Sequence, residues 1–149
     1  MPEPAAPGSP AGVLAFDFGE RRIGVAGGDT LTASARPLAT VAARAGEPDW
    51  DALVRLIRDW EPKVLVVGVP YNMDGSPGPL TERARDFARE LAIRFAIEVA
   101  TVDERLSSYE AQDRLRERRR SGTLRRRVRK GDVDAVAACV LLEQWLRGR

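Results

Sequence analysis

The chain contains no histidine and a single cysteine, Cys139. Without histidine neither a Ser-His-Asp triad nor a Cys-His pair can form, and one sulfur cannot supply the soft ligands of a conventional zinc site. A lone cysteine permits no internal disulfide. Set in an apolar helical pattern, it reads as a small core residue of a cytoplasmic protein. Long apolar runs are missing too. The longest, residues 64–69 and 133–142, fall well short of the roughly 18 residues that cross a bilayer, and Asp134 interrupts the second. No membrane partner is expected. Residues 1–12 hold four prolines, one acid and no base, so they lack the charged start and apolar centre of a secretory signal. They are expected to be a disordered N-terminal leader. Any catalysis is left to carboxylates, hydroxyls, Lys or Arg, and hard metal ions.

What is present fits one domain over residues 13–149: a chain of 149 residues has length for a single core. Hydrophobic residues at 44% and charged residues at 31% exclude a wholly disordered chain. The net charge of +2 conceals a strong polarity. Residues 114–130 carry ten Lys or Arg against Glu117, a local charge of +9, which leaves −7 on the remainder. Arginine supplies 22 of the 24 basic residues, so a general bias toward Arg accounts for part of the run. So dense a block still calls for a polyanion, because neighbouring guanidiniums repel and their forks suit phosphate oxygens. Nucleic acid is the expected partner, bound in a salt-dependent way.

The apolar run over residues 13–18 closes on Asp17 and is followed by Gly19, the pattern of a buried strand ending in a turn. Residues 23–26 read as its hairpin partner and 38–43 as a third strand. Asp49 is placed to cap a helix whose apolar positions are Trp50, Leu53, Val54 and Ile57. Residues 63–69 form a strand apolar on both faces, ended by Pro70. The turn-rich loop 71–78 follows, and Pro79 suits the first position of a helix with Leu80, Ala84, Phe87, Ala88, Leu91 and Phe95 as its stripe. Residues 97–102 are a further strand, running into Asp103, Glu104 and Arg105. A short helix from Ser107 or Ser108 to Arg116 is expected, then a mobile basic loop around 117–130, then a helix over 132–145. The expected fold class is α/β, a mixed central β-sheet of about five strands flanked by helices, with ligands at the carboxyl ends of its parallel strands.

Asp17 and Glu104 fall at those ends, where an ionised carboxylate without a partner would cost several kcal/mol. Arg21 or Arg22 for Asp17, and Arg105 for Glu104, are the structural partners available. Asp134, near the start of an apolar helix, would alternatively favour the helix dipole. Together the three suit a hard dication, Mg2+ or Mn2+, which takes carboxylate, water and phosphate oxygens. Two such ions roughly 4 Å apart serve in-line displacement at a phosphodiester without a histidine base. Asp132 stands roughly 200° around the helix from Asp134, so only one of them can face the cluster. Beside Gly131 it suits an N-cap, and it is the reserve for Asp134.

Four segments carry a resemblance: Leu-Ala-Phe-Asp-Phe-Gly-Glu-Arg-Arg-Ile-Gly-Val-Ala over residues 14–26, Val-Gly-Val-Pro-Tyr-Asn-Met-Asp-Gly over 67–75, Val-Asp-Glu-Arg-Leu-Ser over 102–107, and Lys-Gly-Asp-Val-Asp-Ala-Val-Ala-Ala over 130–138. In this order and spacing they resemble the YqgF/RuvX family of nucleases. The resemblance implies an RNase H-like fold related to the Holliday junction resolvase RuvC, with Asp17, Glu104 and Asp134 as a metal-binding catalytic triad. It implies a role in maturing the 5′ end of pre-16S rRNA or, as the alternative, in resolving Holliday junctions. Gly27-Gly28-Asp29 stands where a small residue, Ser and Asp are usual, and Tyr71 replaces a common Leu.

The leading expectation is thus a divalent-metal-dependent nuclease of structured RNA or branched DNA. Arg118, Arg119, Arg120, Arg125, Arg126, Arg127, Arg129 and Lys130 would meet the phosphate backbone, and Arg22 or Arg105 the scissile phosphate. Tyr71, Asn72 and Asp74 form either a substrate loop or a tight turn, with the Tyr71 ring stacking on a base or packing at the rim. A junction resolvase would be a homodimer with two opposed sites. Asp17-Phe-Gly19 also resembles the first phosphate loop of actin-like ATPases, but the chain has no second such loop. A non-catalytic nucleic-acid-binding factor of ribosome assembly or transcription would bind without a dication.

Overall fold

The computed structural model describes residues 6–103 and 130–149, with side chains in the second stretch from Val133 onward. The elements are β1 (Gly12–Asp17), β2 (Arg22–Asp29), β3 (Ser34–Arg44), β4 (Glu47–Pro48), α1 (Trp50–Trp60), β5 (Val64–Val69), α2 (Thr81–Phe95), β6 (Glu98–Asp103) and α3 (Lys130–Arg147). The strands make one sheet in the order β4-β3-β2-β1-β5-β6, with β1 antiparallel to β2 and parallel to β5, and β5 parallel to β6. The sixth strand beyond the expected five is the two-residue β4, which closes a hairpin on β3 through Ala45 and Gly46, both at positive φ. The expected helix over 107–116, Arg105, and the expected basic loop up to Arg129 lie outside the described residues.

Alternation sorts each central strand between two cores. Leu14, Phe16, Ile23, Val25, Leu65 and Val67 face α1 and α2, meeting Leu53, Ile57, Phe87 and Leu91. Val13, Ala15, Ala26 and Val66 face α3, meeting Ala138, Cys139, Leu141 and Leu142. Cys139 is a buried free thiol. Asp49 caps α1, its carboxylate accepting from the Ala52 N–H. Pro79 lies ahead of α2 rather than in its first turn. Thr81 opens that helix instead, because its buried hydroxyl both donates to the Pro70 carbonyl and accepts from the Gly78 N–H at 2.7 Å. Helix α3 starts at Lys130, so Asp132 stands inside its first turn rather than capping it, and Asp134 one turn in. Among the described residues no helix is long and apolar enough to cross a membrane.

The proline-rich start, expected to be without structure through residue 12, is tied down from Gly8. The Gly8 N–H donates to the Trp60 carbonyl at 3.1 Å, and the Thr30 N–H to that of Ala11 at 3.0 Å. Asp29, only 7% exposed, anchors this segment. Its carboxylate accepts from the Ser9 hydroxyl and from the N–H groups of Leu31 and Thr32 at 2.8 and 3.2 Å. Burial opposes the charge, but these hydrogen bonds outweigh it and hold the carboxyl below the ordinary carboxylate range. A depressed folded-state pKa stabilises the fold above the unfolded pKa and ceases to do so as pH falls through the folded value. Asp29→Asn is therefore expected to lose roughly 1–2 kcal/mol at neutral pH. In urea titrations the gap to the parent should narrow below about pH 4.

Candidate active site

Residue 24 is the point from which the site is built. It lies opposite Asp17 in the β1–β2 ladder, and a Cβ there would fall 2.0 Å from the Asp134 carbonyl oxygen. Glycine alone permits that approach. Four residues along β2, a Cβ on Gly28 would fall 2.6 Å from a Leu142 methyl. Four strand residues span about 13 Å and the eight helical residues from 134 to 142 about 12 Å, so α3 lies lengthwise on β2. The two glycines, with the small Ala26 between them, bring the helix axis close to the sheet. Antiparallel partners have Cα atoms about 5 Å apart, so Asp17, Gly24 and the Asp134 backbone are successive neighbours.

Asp17 shares a strand face with Val13 and Ala15, the face that α3 covers. It is half-buried, at the carboxyl end of β1, and its parallel partner is Gly68. Gly68 in turn pairs with Val102, and Val69 with Asp103, where β6 ends. Glu104, the third expected carboxylate, follows directly in the chain and lies outside the described residues. Among the described residues no group of three or more His, Cys, Asp or Glu side chains is close enough to hold a metal ion. Asp17 and Asp134, whose backbones meet on either side of Gly24, carry hard oxygen donors without thiolate or imidazole. That chemistry suits Mg2+ or Mn2+ and no soft ion.

Arg22, available in the sequence as a partner for Asp17, is instead bound to Asp134, its Nε donating to Oδ2 at 2.7 Å. With side chains 37% and 25% exposed, the pair is screened and contributes less than about 1 kcal/mol to stability. Its effect is to orient the carboxylate. Asp134 and residues 19–22 line a cavity of about 390 Å³ whose far wall is Pro79 and Leu80. Glu20 also lines it but is held by Arg83 at 2.9 Å.

The loop 71–78 leaves the carboxyl end of β5 and closes on itself. Asn72 donates to Ser76 Oγ and the Pro77 carbonyl at 3.0 and 3.2 Å, and Asp74 Oδ1 accepts from the Ser76 N–H at 2.9 Å. Those polar groups build a tight turn. The Tyr71 ring packs on the core under the Arg85 guanidinium, and its hydroxyl accepts from Arg85 at 2.8 Å. That hydrogen bond, with a second to Glu82, raises the Arg85 pKa above its usual value. Lys130 is the first residue of α3. Arg118, Arg119, Arg120, Arg125, Arg126, Arg127 and Arg129 lie outside the described residues.

Sequence reasoning missed two positioning residues. Gly24 carried a signal, since a glycine inside an apolar strand marks a close backbone approach. Thr81 carried none, because its partners across the loop are set by tertiary structure.

A sequence model of the RuvX family, described as Holliday junction resolvase, matches residues 11–148. A protein of Edwardsiella ictaluri named as a candidate pre-16S rRNA nuclease is 47% identical over 95% of this chain and 98% of its own. One of Legionella pneumophila strain Paris, named likewise, is 49% identical over 93% and 97%. Among solved structures, T. thermophilus RuvC in complex with a Holliday junction substrate superposes with a TM-score of 0.53 at 18% identity, over 93% of this chain and 94% of that one. At that identity the likeness concerns the fold, which is RNase H-like.

Gly24→Ala is the direct test of the geometry. The added methyl must displace the α3 backbone, so the variant is expected to lose roughly 1–3 kcal/mol in chemical denaturation. Where backbone conformation allows it, the same substitution typically stabilises instead. An unchanged midpoint would contradict the close approach.

Proposed function

The chain belongs to the RuvX family, and on that premise we propose that it is a nuclease that hydrolyses phosphodiester bonds of structured nucleic acid in a dication-dependent reaction. The observation that carries the proposal is that the Asp17 and Asp134 backbones flank Gly24, with Arg22 bound to Asp134, at the carboxyl end of the parallel strands. The names borne by the relatives favour pre-16S rRNA as substrate, with its 5′ end the part that the family resemblance implies, and hence a cytoplasmic role in ribosome biogenesis. The description of the family favours a second reading, a Holliday junction resolvase, in which two copies would act on opposed strands.

Asp17, Glu104 and Asp134 are the residues that would hold Mg2+ or Mn2+. When bound, the dication supplies a Lewis acid that offsets phosphate charge and makes water a nucleophile at neutral pH. The Asp17 backbone is set by the β1 ladder and that of Asp134 by the seat of α3 on Gly24, so only side chains need to adjust. Arg21 and Arg22 bring two guanidiniums to the same cavity as Asp134, where a phosphodiester would sit. The basic residues from Arg118 to Lys130, together with Arg105, supply the wider phosphate contacts, which position the substrate without reading its sequence. Tyr71, Asn72 and Asp74 act by shaping the turn beside the cavity. Asp132 is the reserve ligand, tested by comparing Asp132→Asn with Asp134→Asn.

A cleavage assay on precursor rRNA, a four-way DNA junction and single strands, run with Mg2+, Mn2+ or EDTA, tests the proposal. Cleavage is expected with either dication, strongest on the precursor RNA, and lost in EDTA. Asp17→Asn and Glu104→Gln should each lower it by roughly two orders of magnitude or more. Salt-sensitive binding that needs no dication and survives Glu104→Gln without cleavage would identify a non-catalytic binder instead. A preference for the junction would favour the second reading.

A further inference from the structure

We propose that Arg22 is an internal placeholder cation: it occupies Asp134 until a dication takes that carboxylate, and the exchange frees its guanidinium for a phosphate in the same cavity. The inference rests on the dication-dependent reading above and adds a role to a residue outside the acidic set.

Four observations carry it. First, Nε of Arg22 sits on Asp134 Oδ2 at 2.7 Å, so any other cation approaching that oxygen competes with a guanidinium already there. Second, the backbones on either side are fixed. Arg22 is the first residue of β2, two positions before Gly24, and the Asp134 carbonyl is seated against Gly24 itself. The exchange therefore involves side chains alone. Third, both side chains are open to solvent, at 37% and 25%, so ions reach the pair without local unfolding. Fourth, Glu20, the other carboxylate among the described residues lining the cavity, is engaged by Arg83 at 2.9 Å. With Asp134 and its neighbour Asp17 both given to the dication and Glu20 held by Arg83, a phosphodiester oxygen is the partner left that fits the Arg22 fork.

A guanidinium and a dication cannot share one carboxylate oxygen without strong repulsion, so the two are antagonistic ligands of Asp134. By linkage, whatever draws Arg22 away favours the dication, and the dication in turn frees Arg22 for phosphate. Charge would thereby be handed from Asp134 to the substrate, coupling the arrival of metal to the arrival of nucleic acid.

The test is Mn2+ binding to the full chain in the absence of nucleic acid, followed by the electron paramagnetic resonance of free Mn2+. Arg22→Gln is expected to bind Mn2+ roughly three- to tenfold more tightly than the parent, the size of effect left when a partly screened like charge is removed. Arg22→Lys, which keeps the charge, should stay within about twofold. Arg22→Met preserves the aliphatic stem and repeats the measurement should the glutamine variant fold poorly. If Arg22 only props Asp134 in place, the uncharged variants will bind Mn2+ equally or more weakly, and the placeholder role is overturned. If neither the parent nor any variant binds Mn2+, the dication reading fails and this inference fails with it.

Discussion

Helix α3 reaches the sheet because residue 24 carries no Cβ. The Asp134 carbonyl lies where that carbon would be, and the opposite strand places Asp17 at the same level. An aspartate from the first strand and another from the last helix therefore become neighbours through a contact that involves neither side chain. Had the helix stood off by the width of a methyl group, each aspartate would still sit on its own element, but their backbones would no longer meet at residue 24. Packing between two backbones, not contact between two side chains, is what brings these acids to one place.

The electrostatics follow from that placement. Glu20 and Asp134 line one cavity, and the fold offsets their charge from within by laying Arg83 on the first and Arg22 on the second. Neither pair is buried, so both lend orientation more than stability. The cavity wall thus sets Arg21 and Arg22 beside Glu20 and Asp134, cationic and anionic side chains lining one space.

Legibility differed by residue. The strands around Asp17 and over residues 64–69 were plain, because runs apolar on both faces have few alternatives to a central strand. Asp49 as a cap was equally plain, since capping is local chemistry. Asp17 stood out as a carboxylate closing an apolar run, and Asp134 as one inside an apolar helix. What no local rule carried was which arginine met which acid. Arg22 is close to Asp17 in sequence, yet it points to Asp134, 112 positions away, because the face of β2 and the seat of α3 are tertiary facts. The start of α2 was misjudged for a similar reason: Pro79 has the conformation for a first helical residue, but the buried Thr81 clasp across the loop decides where the helix begins.

The clasp between residues far apart in the chain also bears on how the molecule is assembled. Strands β1 to β4 form a meander of local pairings, which close quickly, whereas the contact of α3 with β2 closes a loop of more than a hundred residues at greater entropic cost. Asp17 and Asp134 thus belong to contacts of very different sequence separation. Their meeting at Gly24 is available only to a chain in which both kinds of contact have closed.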